Sequence, residues 1–493
     1  MKDGKYLQEK MPLLEAIEEY NRIRPAYFCI PGHRYEKGIN GRWRELVGDA
    51  IFRFDLTETP LTDDLHSAEG AIREAESLAA RLFGADETHF LVNGTTCGNQ
   101  IMVLTAAFEG QKIAVPRNAH KSMLMGLIMG GARPVYIMPE LLPGSGLHGG
   151  ITPAAVEAMF RENPDCRAVI AVSPTYYGLC SDLREIGRIC HDRGALLLVD
   201  EAHGAHCYFS DLLPEGALAQ GADMCSQSIH KVAGSLTQSS MLHVRGDRVD
   251  RDRMRANLHL VQSTSPSYLL MTSLDAARQD LALSGAAMAE KAVSLAEYAR
   301  EEIRKIPGMS CIGREVVGQA GVSGFDSSRL TFGAWELGLT GFDLKQLLWE
   351  QGGCDTELAD YKNVLAIFTF ANDREDADRL VGALRRIAAD CAGKRETAGR
   401  AGEKEQIPPL PPQPEYVLSP REAYFSEKKR VSWSAAEGLV AGEMIAPYPP
   451  GIPVIYPGER ISPEVWAFIE TYRRGGRHFH GPSDLSLETV LVI

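Results

Sequence analysis

From about residue 67 to residue 245, short β-branched or apolar runs alternate with amphipathic stretches, and this rhythm constrains the fold more than any other feature of the chain. "THFLVN" precedes "GNQIMVLTAAFEG", and "QKIAVP" precedes a helical stretch over 119–130. "ARPVYIMP" and "RAVIAVSP" follow, then "SDLREIGRICHDRG" and "ALLLVDEAHG". Runs such as "RAVIAV" and "ALLLV" are apolar at consecutive positions, so both faces of those strands must be covered. The alternation predicts βαβ units and an α/β fold with a mostly parallel sheet. Sites in such folds form where the strands end.

The flanks read differently. Residues 1–66 hold one predicted helix, 12–23, and then irregular "CIPGHRYEKG", which makes an N-terminal arm. The large α/β domain is expected over 67–280. A long helix over roughly 273–305 leads into a small strand-and-helix domain, 281–391. Residues 392–416, "AGKRETAGRAGEKEQIPPLPPQPEY", are polar and then proline-rich, an extended linker. Residues 417–493 predict a small C-terminal α+β domain. Several cores are expected, because 493 residues exceed what one supports.

Composition excludes partners. A formal charge of -13 repels phosphate backbones, and "EKKRV" near 427 is too short to reverse that, so nucleic acid is not expected. No apolar run approaches the roughly eighteen residues that span a bilayer, so no membrane role is expected. The N-terminus is dense in charge and lacks the apolar core of a signal peptide, which points to the cytoplasm. Ten cysteines are scattered singly with no CxxC pair, which argues against a disulfide framework and against a structural zinc site. No metal is expected.

Three elements of chemistry fall at successive strand ends. The turn "NGTTCGNQ" (93–100) follows a strand and opens a helix, so backbone N–H groups and the hydroxyls of Thr95 and Thr96 suit a phosphate. Asp200 ends the most apolar strand, where a carboxylate is costly without a cationic partner. Lys231 follows 31 residues later in "CSQSIHKVAGSLTQSS", enclosed by small hydroxyl residues. Alone, the turn reads as an ordinary helix start and Asp200 as a cap. Together they suit pyridoxal 5'-phosphate (PLP), which offers an aldehyde to the lysine, a ring nitrogen to the carboxylate and a phosphate to the turn. His120, in "PRNAHKS", adds a ring suited to stacking on that cofactor. These residues alone stop at a PLP enzyme: aminotransferase, lyase, aldolase and decarboxylase share them, and a silent PLP-binding protein would keep them too.

"SQSIHKVAGSLTQSS" resembles the PLP-attachment signature of the Orn/Lys/Arg decarboxylase family of fold type I. "PGHRYEKG", "DDLHSAEGAI", "SPTYYG", "DEAHGAH", "QSTSPSYLLMTSLDAAR" and "YPPGIPVIYPGE" resemble family blocks in the same order. The length is similar to that of the shorter, Gram-positive-type members. The resemblance implies a homodimeric or larger decarboxylase of a basic amino acid, commonly arginine, feeding polyamine synthesis. It implies that Lys231 carries the cofactor, Asp200 pairs with the pyridine nitrogen and His120 stacks on the ring. It also implies that Thr95, Thr96 and Ser228 bind phosphate, that His230 assists proton delivery, and that Thr264 reaches the phosphate of the neighbouring subunit. His203 stands beside the cofactor where long members carry tryptophan, so substrate choice is not carried over from them. The distal cation of the substrate needs an acid, and Asp63, Asp64, Glu357, Asp360 and Glu443 all stand in motif-like segments.

Overall fold

The computed structural model describes residues 7–398, 411–448, 453–475 and 478–493. A seven-stranded sheet organises it: β1 (Glu87–Leu91), β2 (Lys112–Pro116), β3 (Arg133–Ile137), β4 (Ala168–Val172), β5 (Leu196–Asp200), β6 (Met224–Gln227) and β7 (Ser240–Val244). Their spatial order is β1-β7-β6-β5-β4-β2-β3. The five strands from β6 to β3 run parallel, while β7 is antiparallel to both β6 and β1. β7 falls in the Ser/Thr-rich stretch after Lys231, where no strand was expected. Val169, Ala171, Leu197 and Val199 pack into one apolar cluster and Ala168, Ile170 and Leu198 into another, so both faces of the central strands are covered. That is why those strands read as continuous apolar runs.

Helix α1 (Pro12–Ile23) sits where the sequence places it, and the arm that contains it is docked rather than free. Leu13 and Ile17 are fully buried, and the Leu13 amide donates to Asp275 Oδ2 at 3.0 Å. Helices α2 (Gly94–Ala106) and α3 (Lys121–Gly130) follow β1 and β2. Gly98 lets α2 lie close on the sheet: a Cβ there would meet Ser226 Oγ at 2.1 Å and Leu91 Cδ1 at 2.8 Å. Any side chain at 98 would lift the helix off β6.

Helix α4 (Tyr268–Arg304) runs through the expected division at 280/281 without a break. Its first half buries Met271, Leu274 and Leu281 in the large core; its last turns bury Ala296, Ala299 and Ile303 in a second core. That core lies under a four-stranded antiparallel sheet, ordered Leu358–Ala359, Val364–Ile367, Arg329–Gly333 and Ser310–Cys311. A helix over Arg374–Ala398 packs on it and continues into the segment read as linker. The part of that linker over 399–410 lies outside the described residues. The C-terminal unit packs α5 (Pro463–Arg474) with two antiparallel strand pairs around Ile445, Ile455, Val465 and Phe479.

A chain of polar groups crosses the interior of the large unit. Glu201 accepts from Tyr208 Oη and Gln227 Nε2, both at 2.8 Å. Gln227 Oε1 lies 3.0 Å from His243 Nε2, and Thr88 Oγ1 lies 2.8 Å from His243 Nδ1. Burial pushes Glu201 up to about 7 and His243 down to about 3. Below pH 6.5, the ordinary histidine value, the unfolded chain takes a proton at position 243 that the folded chain refuses. Stability from neutral His243 is therefore complete above pH 6.5 and drains away as pH falls towards 3. Over pH 7 to 5 the loss assigned to His243 is ~2 kcal/mol. Chemical denaturation at both pH values is expected to show His243→Gln losing that much less than wild type; equal losses would remove His243 from the acid response.

Candidate active site

Val172, Asp200 and Ser226 are in register on β4, β5 and β6, so the carboxyl ends of three parallel strands stand side by side. A cavity of about 880 Å3 opens over this edge. It is lined by the N-terminus of α2, by Asp200 and Lys231, and by Tyr176 on the loop after β4.

Lys231 lies on a one-turn helix, Ile229–Val232, directly after β6. Its Nζ is 2.9 Å from His203 Nε2 and 4.9 Å from the centre of the Tyr176 ring. Burial lowers its pKa, and Arg329 adds to that, while the charges of Asp200 and Glu357 oppose it. His203 is held well below the ordinary histidine range by burial and then by Lys231, so the imidazole is neutral and Nε2 accepts from the ammonium. Its ring stands 4.2 Å from Tyr176, and its buried Nδ1 has no hydrogen-bond partner among the described residues. His203, expected only as a neighbour of the cofactor, is thus the direct partner of Lys231.

Asp200 is 4% exposed. Asn99 Nδ2 donates to its Oδ2 at 2.8 Å, and the Ala202 amide to its Oδ1 at 3.2 Å. Asn99 follows Gly98, so the close seat of α2 is what brings this amide to the carboxylate. His120 caps α3: its Nδ1 accepts from the Ser122 amide at 3.3 Å and pairs with Ser122 Oγ at 2.8 Å. The ring is exposed, but to the cavity it lines. Surrounding protein lowers its pKa against the pull of Asp200.

The phosphate candidates also meet. Thr95 Oγ1 lies 2.7 Å from Ser228 Oγ and 3.2 Å from Ser240 Oγ, and Thr96 lines the cavity beside them. Among the described residues no side chain caps α2, so its first-turn amides have no internal acceptor, and Gly94, Thr95 and Thr96 of that turn line the cavity. The hydroxyls and amides suit a phosphate, and Lys231 and Asp200 on the same cavity suit the aldehyde and ring nitrogen of PLP. His230 lines the cavity; its Nδ1 donates to the Ser239 carbonyl at 2.8 Å, leaving Nε2 as the acceptor, and burial lowers its pKa.

Some candidates are placed elsewhere. Thr264 is exposed between the helix Arg251–Val261 and α4 and does not line the cavity. Asp63 accepts the Gly70 and Ile72 amides at 2.8 and 3.0 Å, capping a helix; Asp64 accepts the His66 amide. Glu443 accepts the Ser483 and Leu491 amides within the C-terminal unit. Those three carboxylates hold backbone turns in place. Glu357 is exposed beside the site, and of the five acids only Asp360 lines the cavity. Tyr177 Oη donates to Asp360 Oδ2 at 2.8 Å, and burial raises the carboxyl's pKa.

Three functional neighbours had no separate signal. Tyr176 and Tyr177 stand in "SPTYYG", but nothing in the motif says which ring meets Lys231. Arg329 is fully buried and donates from Nη2 to the His203 carbonyl at 3.0 Å, from 126 residues away. Burial opposes ionisation of its partner Asp326, but His206 and Arg329 outweigh it and hold the carboxyl far below its ordinary range.

A lysine beside a neutral histidine and an aspartate at the carboxyl edge of this sheet define a fold type I enzyme. The Orn/Lys/Arg decarboxylase major domain matches residues 11–330, and the Orn/Lys/Arg decarboxylase C-terminal domain matches 405–484. The arginine decarboxylase of Halalkalibacterium halodurans is 38% identical over 486 residues, 99% of this chain and 98% of that one. The arginine decarboxylase of Bacillus subtilis is 37% identical over the same shares. The Francisella novicida lysine decarboxylase LdcF superposes with a TM-score of 0.84 at 21% identity, covering 98% of this chain and 80% of that one, and shares the fold. The chain belongs to the Orn/Lys/Arg decarboxylase family.

Competitive acylation over a pH series, on protein prepared without PLP, is expected to give Lys231 a lower reactivity midpoint than Lys305. Burial lowers the first and Glu302 raises the second. A Lys231 midpoint at or above that of Lys305 would contradict the charge balance described.

Proposed function

We propose that this enzyme decarboxylates L-arginine to agmatine and CO2 with PLP bound through Lys231. The observation that carries the reading is the meeting of Lys231, His203 and Asp200 on one cavity with the Thr95–Ser228 hydroxyl pair. The full-length similarity to arginine decarboxylases supports the choice of substrate.

PLP supplies, when bound, an electron sink for the pair left behind as the carboxylate departs as CO2. The chain does the rest. Asp200, oriented by Asn99, would pair with the ring nitrogen, His120 would lie on the ring face, and Thr95, Thr96, Ser228 and the α2 amides would hold the phosphate. Neutral His203 takes a hydrogen bond from Lys231, so the pair holds one proton between Nζ and Nε2. Lys231 would return a proton to the α-carbon, and His230, whose Nε2 is an acceptor, would assist only after taking up a proton itself. Orientation of the carboxylate selects decarboxylation over other outcomes.

Asp360 is the acid we assign to the distal cation. A guanidinium offers a planar fork to a carboxylate, where an ammonium offers a point contact. The ten cysteines are free thiols, which supports a reducing compartment and hence the cytoplasm. The arm exposes Phe28, Ile30, Trp43 and Leu46, and this together with exposed Thr264 supports a homodimer.

Measured side by side, kcat/KM for CO2 release is expected to favour arginine over lysine and ornithine by roughly ten- to a hundred-fold. A preference for lysine or ornithine overturns the arginine assignment. Asp360→Asn is expected to lower kcat/KM for arginine by about a hundred-fold, with a smaller effect from Glu357→Gln at the exposed position. Unchanged arginine kinetics in Asp360→Asn would exclude that carboxylate.

A further inference from the structure

Arg117 is the first residue after β2, three residues before His120, and it lines the cavity. Its side chain does not point at the residues of the site. Nη1 and Nη2 pair with the two carboxylate oxygens of Glu459 at 2.5 and 3.0 Å, and Nη2 also donates to the Val454 carbonyl at 2.8 Å. The guanidinium packs on Tyr136 of β3 and on Tyr456, at 4.8 and 4.5 Å from the ring centres. The Arg117 and Glu459 side chains are 5% and 1% exposed.

Glu459 also shapes its own loop, since its Oε2 accepts the Tyr456 amide at 2.7 Å and so closes the turn that presents Val454 and Tyr456. The C-terminal unit therefore meets the large unit through a buried, two-pronged ion pair whose acid also braces the contacting segment. Val454, with Pro447, Phe468 and Tyr472 from the same unit, lines the same cavity as Lys231 and Asp200. Tyr472 packs edge-on to Tyr361, the neighbour of Asp360. These residues roof the space a substrate must fill.

We propose that the Arg117–Glu459 pair is a latch that seats the C-terminal unit as the roof of the active site, so that both residues are positioning residues for substrate. The pair is almost wholly buried and bidentate, the geometry in which a charge pair sets orientation as well as energy. Releasing it frees the roof, admits water beside Lys231 and loosens the wall against which the substrate's side chain lies. The loss falls on substrate capture, because the latch touches neither Lys231 nor Asp200. This inference rests on the decarboxylase reading for its kinetic arm only.

Glu459→Gln keeps the side-chain volume but leaves Arg117 facing a neutral partner. Its KM for the preferred amino acid is expected to rise roughly tenfold or more, with kcat within about threefold of wild type and the visible cofactor band retained. Amide hydrogen exchange is expected to quicken on both sides of the latch, over 113–122 and over 466–473. Glu443→Gln, which breaks amide contacts inside the same unit, is expected to lower Tm while leaving KM unchanged. The latch is overturned if Glu459→Gln behaves as Glu443→Gln does, with exchange quickened only over 453–460. Should Glu459→Gln not fold, Arg117→Lys, which keeps the charge and loses the fork, takes its place: the same rise in KM and two-sided exchange support the latch, and their absence overturns it. If wild type turns over no basic amino acid, the decarboxylase reading fails and hydrogen exchange alone decides on the latch.

Discussion

A carboxylate at the end of a strand covered on both faces is the constraint on which this architecture turns. Asp200 is almost wholly buried, so the protein must supply donors itself. It does so with an asparagine on the helix laid across the sheet, and that helix reaches Asp200 only because residue 98 carries no side chain. Seating α2 at that depth also sets Thr95 against Ser228 and brings the uncapped helix terminus over the strand ends. One close approach therefore places the acid, the hydroxyls and the amide donors together. Lys231 comes to them from the neighbouring strand.

The interior behind this edge is polar where an apolar core would have served. Glu201, adjacent to Asp200 in sequence, joins a hydrogen-bonded run through Gln227 and His243 to Thr88 that ties four strands together. Each member satisfies the next, so the run specifies which strands lie side by side. It includes β7, which is antiparallel to both of its neighbours.

The fold was legible because burial leaves a local trace. Strands covered on both faces read as uninterrupted apolar runs, as β4 and β5 do. β7 does not, because its polar edge residues belong to the attachment segment and mask its apolar positions. The site was legible where chemistry is compressed into a motif, as at Lys231, Asp200 and Thr95. It was illegible where partners are distant in the chain: Arg329 stands 126 residues from His203, and Glu459 stands 342 from Arg117. Periodicity tells which face is apolar, not which two side chains meet. Acids misled for a related reason. Asp63, Asp64, Glu443 and Asp360 look alike in sequence, and all four accept backbone amides that only the folded chain presents; Asp360 differs in also lining the cavity.

Helix α4 makes the two larger units mechanically continuous. Its 37 residues form a beam, clamped at one end in the large core and at the other beneath the four-stranded sheet. A bend of about 5° near Leu281 would swing the far end, some 35 Å away, by roughly 3 Å. That sheet carries Arg329, whose guanidinium grips the carbonyl of His203. Torque on the small unit is thereby geared to the loop that carries the imidazole partner of Lys231, and the helix shares that load with the packing of Leu358 and Leu365 on Tyr177 and Leu179.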